Sequence, residues 1–170
     1  MNCATPATGS KDIQLMYFGN YGVFIGNTKG GTDETSYVGG KWNTKQCVEK
    51  ATTQDPDINA IVRNYNSKGY CAPACCCIRY KTLGTNAGDW YLPSIGELYQ
   101  IYANKTIINE KRITLVGEGF NNYYYWSSRE SSINSEWMID LNDGHPTISD
   151  KSNDGKALAF LAVEVSQLVN

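Results

Sequence analysis

The stretch Gly88-Asp89-Trp90-Tyr91-Leu92-Pro93-Ser94-Ile95-Gly96-Glu97-Leu98 carries the local pattern on which the fold prediction depends. Ser94 and Glu97 have the spacing of a capping box, in which the serine hydroxyl accepts the amide proton of residue N3 and the N3 carboxylate accepts that of the cap residue. Apolar residues follow at helical spacing, at Leu98 and Ile101. The stretch therefore predicts a helix that begins directly after Ser94.

Towards the N-terminus the pattern predicts further helices and, before them, a hairpin. Asp55-Pro56-Asp57 is typical of a helix start, with proline at an early helical position. Two β-rich runs flank Gly19-Asn20 and predict a hairpin that pairs with the last strand of the chain. The predicted elements are an arm (1–12), hairpin strands (13–18 and 21–25), a loop (26–41), and helices at 42–51, 55–69, 72–83 and 106–116.

The C-terminal part of the chain predicts an antiparallel sheet. An aromatic strand is expected at residues 123–127. Between residues 137 and 142, Trp, Ile and Leu alternate with Met, Asp and Asn, which predicts a half-buried strand. Asn142-Asp143-Gly144 favours a tight type I′ turn, and residues 157–165 are apolar on both faces, as in a central strand. We therefore expect one α+β domain over residues 13–170.

The composition excludes several classes of protein. Hydrophobic residues make up 41% of the 170 residues and charged residues 19%, which is typical of a globular domain. The net charge of −2 gives no reason to expect a nucleic-acid partner. No apolar run approaches the roughly 20 residues that span a bilayer, so no membrane insertion is expected. Residues 1–6 lack the basic and apolar regions of a secretory signal, and we expect no signal peptide in this chain.

Six cysteines leave the redox state of the protein open. Residues 75–77 are three consecutive cysteines and Cys71 precedes them, a spacing that matches no zinc site. Consecutive cysteines on a helix point in different directions and do not easily pair with one another. We expect small buried residues on a packed helix, with a disulfide from Cys3 or Cys47 to this cluster as the open alternative.

The order of two motifs resembles a known domain class. Trp90-Tyr91-Leu92-Pro93-Ser94 is followed by Tyr125-Trp126-Ser127-Ser128, and then by Trp137 and Lys151. This order resembles the C-type-lectin-like domains of bacterial and phage adhesins and surface proteins, including the variable proteins of diversity-generating retroelements. The resemblance covers residues 13–165 and implies a C-type-lectin-like fold, with an N-terminal hairpin, helices and a C-terminal antiparallel sheet.

The resemblance also implies a function. It is that of a non-catalytic ligand-binding domain, an adhesin or phage receptor-binding protein, displayed in several copies on a phage tail or bacterial surface. The expected partner is an unknown protein or glycan on a cell surface, and no cofactor or metal is expected. The related formylglycine-generating enzymes carry a reactive cysteine pair, whereas residues 120–170 contain no cysteine, so we expect no enzyme. Another departure is at residues 159–163, where family members often have Val-Arg.

Some of the motif residues are expected to hold the fold rather than the ligand. Large apolar side chains in the two motifs have the size of core anchors. Serines beside them are expected to satisfy backbone groups near the sheet. The structural residues are Trp90, Leu92, Trp126, Ser127 and Trp137.

Retroelement diversification implies which residues meet the ligand. In that class, adenine-directed mutagenesis of AAY codons yields Tyr, Ser, Asp, His, Thr, Arg, Gly or Asn, but never Glu, Lys, Gln, Met or Trp. The expected ligand-binding residues are Tyr123, Tyr124, Arg129, Ser131, Ser132, Asn134, Asp140, Asn142, His145, Thr147, Ser149, Ser152, Asn153 and Asp154. The same rule excludes Glu130, Glu136, Met138 and Lys151, which are expected to be fixed scaffold.

Strand alternation gives a second criterion for the same surface. It predicts that Asp140, Asn142, His145, Thr147 and Ser149 share one solvent-facing side of a hairpin. An ordinary polar outer face of a sheet would look the same.

Three other functions remain open. Asp140, Asn142, Asp143 and Asp150 offer oxygen ligands for a calcium-dependent lectin. His145 with a neighbouring aspartate offers acid–base chemistry for an enzyme. A purely structural tip or capsid decoration protein needs neither.

Overall fold

The computed structural model describes residues 13–16, 26, 28–29, 39–63, 71–116, 119–120 and 123–163, and has the α+β architecture that the sequence predicts. The predicted arm, the hairpin turn and its second strand, residues 64–69 of the predicted helix 55–69, and Cys3 lie outside the described residues. The elements are β1 (Ile13–Met16), α1 (Gly40–Gln54), α2 (Ile58–Arg63), α3 (Ala72–Arg79), β2 (Trp90–Tyr91), α4 (Ile95–Ala103), α5 (Lys105–Val116), β3 (Tyr124–Glu130), β4 (Ser135–Asp140), β5 (Pro146–Asp150), β6 (Gly155–Ala157) and β7 (Phe160–Leu161).

The strands form two sheets. The larger has the order β1-β6-β3-β4-β5, so that β5 lies at an edge, and β2 pairs with β7 in the smaller sheet. Neighbours in the larger sheet are antiparallel except β3 and β6, which run parallel. The chain must therefore cross from the edge strand β5, past β4 and β3, to reach β6. We call residues 151–154, which make this connection, the crossing segment.

The predicted final strand at 157–165 is wrong as one element. The structure divides it into β6, which lies between β1 and β3, and β7, which belongs to the other sheet. The chain leaves the larger sheet after Ala157 because Leu158 packs into an apolar cluster with Tyr125 and Leu98. Phe160 then pairs with Tyr91 of β2. The predicted central position holds only for β6.

The predicted helices are correct in place but not always at their ends. Helix α1 begins at Gly40 rather than 42, where the Thr44 hydroxyl lies 2.7 Å from the Gly40 carbonyl oxygen. Helix α2 begins after Asp57, whose carboxylate accepts the Asn59 amide proton at 2.9 Å. Pro56 therefore precedes the cap, and the prediction that it lies inside the helix is wrong.

Helix α3 ends four residues before the predicted position. The helix ends at Arg79 because Tyr80 is extended, with φ −61° and ψ 142°. The Tyr80 ring meets the ring of Trp90 edge-on at a centroid distance of 4.9 Å. Gly84, the predicted stop, has φ +83° and lies beyond the helix.

The capping box at the start of α4 is present as predicted. The Ser94 hydroxyl accepts the Glu97 amide proton at 3.2 Å, and the Glu97 carboxylate accepts the Ser94 amide proton at 2.6 Å. The next residues upstream link this cap to the rest of the fold. The Pro93 carbonyl accepts the Ser128 amide proton at 2.7 Å, and Leu92 N donates to the Thr44 hydroxyl at 2.9 Å. The two motifs of the sequence thus contact each other directly.

Replacing Ser94 with alanine removes half of this capping box. We expect the free energy of unfolding to fall by about 1 kcal/mol, because the Glu97 amide loses its acceptor at a buried helix end. Chemical denaturation of the purified chain measures the loss. A Ser94→Thr variant, which keeps the hydroxyl, is the control and should lose much less; equal losses in the two variants would contradict the capping role.

Both faces of β3 and β4 are buried, which corrects the predicted half-buried strand. Trp126 and Met138 pack with α1, α2 and α3 on one face, whereas Tyr125 and Ile139 pack with α4 on the other. The prediction failed because Met138 and Glu136 belong to the face that was taken as exposed. Of the predicted core residues, Trp126, Leu92 and Ser127 are buried, while Trp90 and Trp137 are only half-buried.

The cysteines around α3 are buried, and one of them is oxidised. Cys47, Cys71, Cys75 and Cys77 are buried, as the sequence predicted, and form no disulfide bond. Cys76 is disulfide-bonded, so the open alternative of a disulfide to this cluster applies at that residue. Because Cys47 is free, it is not the partner. Burial raises the pKa of Cys75, Cys77 and Cys71 above the ordinary thiol value, which keeps these thiols protonated and inert.

No helix among the described residues is long and apolar enough to cross a bilayer.

Candidate functional site

A cavity of about 320 Å³ lies beside the edge strand β5, and we call it the edge pocket. Its floor and walls come from three strands and from the crossing segment between β5 and β6. The lining residues are Tyr124, Met138, Thr147, Ile148, Ser149, Asn153 and Asp154. Five of these seven residues belong to the ligand-binding set expected from the sequence.

Strand register brings the pocket residues to one face of the sheet. Met138 is the partner of Trp126 on β3 and of Thr147 on β5. Because side chains alternate along a strand, Tyr124 and Ser149, two residues away from these partners, lie on the same face. Met138 is buried beneath them. The helices cover this face at its centre and leave it open beside β5.

The crossing segment supplies the remaining wall. Asp150 accepts hydrogen bonds from the Ser152 hydroxyl at 2.6 Å and the Ser152 amide at 2.8 Å, and these bonds lower the pKa of Asp150. Asn153 donates its side-chain amide to the Ser149 hydroxyl at 3.0 Å. Gly155 ends the segment above Trp126, and a Cβ atom there would lie 2.6 Å from the indole nitrogen. The segment is therefore held closely against the sheet.

A buried triad of charges anchors the crossing segment. Lys151 Nζ lies 2.6 Å from Glu130 Oε1 and 3.5 Å from Glu136 Oε2, and all three side chains are 1% exposed or less. Burial raises the pKa of Glu136 well above its ordinary value, and Lys151 offsets this only in part. Burial alone would lower the pKa of Lys151, but Glu136 and Glu130 outweigh it and the pKa is raised. Neither carboxylate oxygen of Glu136 accepts a hydrogen bond from a described residue.

The raised pKa of Glu136 predicts that stability falls as pH rises. Above the ordinary glutamate pKa, the folded state holds a proton on Glu136 that the unfolded state has lost, so the free energy of unfolding decreases until the raised pKa is passed. Urea denaturation between about pH 5 and about pH 8 measures this slope. Glu136→Gln is uncharged throughout and should show a flatter dependence; identical slopes in both proteins would contradict the assignment.

The loop of residues 141–145 joins β4 to β5 and is fixed from below. The amide of Gly144 donates to the Asp140 carbonyl at 2.8 Å, and the Lys105 ammonium group donates to the Leu141 carbonyl. Gly144 has φ +78° and lies against the ring of Tyr102. Among described non-glycine residues only Cys71 has a positive φ, so the predicted type I′ turn, which needs two positive φ angles, is wrong. Five residues rather than two make the connection.

The loop also corrects the prediction that five polar residues share one solvent-facing side of the hairpin. Thr147 and Ser149 share the pocket face of β5, and Asp140 follows Met138 on that face of β4. Asn142 and His145 instead lie in the loop and are exposed. Strand alternation does not govern them, because neither residue is in a strand.

The remaining expected ligand-binding residues lie around the pocket and at the far end of the sheet. All fourteen are exposed or half-buried. Ser131, Ser132 and Asn134 lie in the turn between β3 and β4, and Ser152 is exposed in the crossing segment. The guanidinium group of Arg129 lies 6.0 Å from the ring centroid of Trp137. The ring centroid of Tyr123 lies 5.9 Å from the ammonium group of Lys156. The structure thus brings five of the fourteen into one cavity and distributes the others over the surrounding surface.

The four residues expected to be fixed scaffold are all buried: Glu130, Glu136, Met138 and Lys151. Sequence reasoning did not foresee that three of them form one charge cluster. It also missed Met138 and Ile148 as pocket residues. Their spacing alone gives no signal for this, because the pocket is formed by register between strands and by the crossing segment.

The acidic residues proposed for calcium serve turns in the described structure. Asp140 accepts the Asn142 amide proton at 2.7 Å, and Asp143 accepts the His145 amide proton at 2.8 Å. The contact between Asp143 and His145 is therefore a backbone turn. In the described ranges, no group of three His, Cys, Asp or Glu side chains has an arrangement that could hold a metal ion. No protein-family model matches the chain, and no curated protein matches it.

Proposed function

We propose that this chain is a non-catalytic ligand-binding domain with a C-type-lectin-like fold, acting as an adhesin or phage receptor-binding protein. The binding surface is the edge pocket together with the exposed loops beside it. The ligand is a protein or glycan on a cell surface, and the domain acts on a phage tail or bacterial surface. In this proposal the C-terminal surface is diversified by a retroelement.

One observation carries the proposal: the fourteen residues expected to meet the ligand are accessible, and the four expected to be fixed scaffold are not. All fourteen are exposed or half-buried, and Glu130, Glu136, Met138 and Lys151 are buried. Tyr125, Ser127 and Ser128 are of permitted types but belong to the buried motif, outside the fourteen. An ordinary polar sheet face accounts for exposed serines and asparagines. It does not by itself account for the burial of a lysine, two glutamates and a methionine in the same part of the chain.

Contact between the two sequence motifs supports the fold assignment. Asn43 Nδ2 of α1 donates to the Ser128 hydroxyl at 3.2 Å, and Ser128 N donates to the Pro93 carbonyl at 2.7 Å. The Ser127 hydroxyl donates to the Trp137 carbonyl at 2.8 Å, which joins β3 to β4. The motif serines therefore satisfy backbone groups at the junction of helices and sheet, as their place in the motif suggests.

The mechanism is recognition by a rigid surface. The buried triad holds the crossing segment, and Gly144 with Tyr102 holds the other loop, so the exposed side chains lose little conformational freedom on binding. Tyr124 supplies a large amphipathic ring, and short polar residues supply hydrogen bonds. Several copies on one particle would add avidity to a modest affinity for each site.

Cell binding by a multivalent form tests the proposal. Biotinylated full-length chain is assembled into tetramers on streptavidin, and flow cytometry measures its binding to a panel of intact bacterial cells. We expect binding to at least one surface, and at least a tenfold loss for the Tyr124→Ser/Thr147→Ala/Asp154→Ala variant. Lys45→Ala/Glu49→Ala, on the exposed face of α1, is the matched control. Equal binding by the pocket variant would contradict the proposal.

A further inference from the structure

We propose that the edge pocket binds a cationic group, the guanidinium or ammonium group of an arginine or lysine side chain on a protein ligand. This inference rests on the proposed function and names the chemistry that the site selects. It follows from three properties of the pocket: its charge, its aromatic ring and its hydrogen-bond acceptors.

The pocket is lined by one charged residue, and that residue is acidic. Asp154 is exposed, and the other six lining residues are neutral. No ion pair to Asp154 is formed within the described residues. Lys151, three residues earlier, is buried between Glu130 and Glu136, and Lys156 lies over the ring of Tyr123 at 5.9 Å. Asp154 therefore lines the cavity without a basic neighbour among the lining residues.

An exposed aromatic ring lines the same cavity. Tyr124 is 45% exposed, although it lies in a strand of the larger sheet. Its ring meets that of Tyr123 edge-on, with the planes at 74° and the centroids 6.5 Å apart. A cation within about 6 Å of such a ring is attracted by its negative face. The same chain already uses this contact, with Arg112 over Phe120 at 4.3 Å.

The remaining polar groups provide acceptors. Asn153 donates its amide to the Ser149 hydroxyl at 3.0 Å, which leaves the amide oxygen of Asn153 as an acceptor. Thr147 adds a second hydroxyl. A guanidinium group has five donors and no acceptor, so a lining of this kind suits it. The negative charge of Asp154 would repel an anion, and it would add no charge–charge attraction for a neutral sugar.

Blocked amino acids provide a probe that isolates the charge. Acetyl-arginine methylamide carries only the guanidinium charge, and acetyl-citrulline methylamide has nearly the same shape without it. We expect the arginine probe to shift the ¹⁵N–¹H resonances of Thr147, Ser149, Asn153 and Asp154 in the full chain. The citrulline probe should bind at least about tenfold more weakly, and added salt should weaken the arginine probe.

Two variants assign the effect to the pocket. Asp154→Asn should weaken the arginine probe about tenfold, and Tyr124→Ala should weaken it less. Glu49→Gln makes the same charge change on the exposed face of α1 and should leave the probe unaffected.

Each contrary result is distinguishable from failure of the proposed function. The inference is overturned if the arginine probe causes no shift at about 50 mM, if citrulline or methyl glucoside binds equally well, or if Asp154→Asn changes nothing. The outcome differs if the arginine probe binds the pocket but tetramers of the pocket variant bind cells as well as tetramers of the parent chain. That result would overturn the proposed function and leave the inference standing.

Discussion

Replacing Lys151 with methionine is expected to destabilise the domain by about 3–5 kcal/mol, the largest effect among these predictions. Methionine fills a similar volume but leaves Glu130 and Glu136 buried without their cation. Glu130, and Glu136 wherever it is still ionised, must then be protonated or drawn towards water, and either change costs free energy. Urea denaturation measures the loss, and the crossing segment should lose amide protection in hydrogen exchange.

A hydrophobic replacement of the whole triad is the control for this prediction. Glu130→Leu/Glu136→Met/Lys151→Met removes all three charges together, and we expect it to regain most or all of the lost stability. Recovery would show that the single variant suffers from unpaired charge rather than from lost packing. A single variant within about 1 kcal/mol of the parent would contradict the buried ion pairs.

Replacing Gly144 with alanine is expected to cost at least about 2 kcal/mol. The residue has φ +78°, which disfavours any side chain. An added Cβ atom would also meet the ring of Tyr102, with Cζ only 2.6 Å away, so the ring or the loop must move. Thermal unfolding measures the loss, and the resonances of Asn142 and His145 report the movement of the loop.

Gly84 provides the matched control. It has φ +83°, but a Cβ atom there would meet nothing within 4 Å. Gly84→Ala should therefore show the backbone strain alone, about 1 kcal/mol. The difference between the two variants measures the contact with Tyr102. Equal losses would mean that α4 does not hold the loop of residues 141–145.

Local signals predicted local structure well. The capping box at Ser94 depends on residues three apart, and helix α5 differs from its prediction by one residue at its start. The failures concern contacts between distant residues. Met138 was placed outside because its alternation with Ile139 shows two faces but not that helices cover both.

In the candidate site, too, local features were predictable from the sequence and contacts between distant residues were not. The residue types alone favoured an exposed position for Asn153 and a fixed one for Lys151, and the structure places the first at the surface and the second inside. The residue types do not show that Asn153 and Asp154 lie beside Tyr124, because that depends on the path of the chain from β5 to β6. The type I′ turn failed for a related reason: Tyr102 and Lys105 of neighbouring helices fix a five-residue loop that Asp143-Gly144 alone does not encode.

The central claim is that the pocket residues bind ligand while the buried residues beneath them hold the fold, so that the first set can change freely. A phage-displayed library varied at Tyr124, Thr147, Ser149, Asn153 and Asp154 tests it against a control library varied at five exposed positions outside the pocket, Lys45, Glu49, Thr53, Lys81 and Glu110. Both libraries are selected for protease resistance and then on an immobilised protein that the parent does not bind. We expect folded variants from both libraries and binders from the pocket library alone. A pocket library that is largely unfolded, or that yields no more binders than the control, would contradict the account.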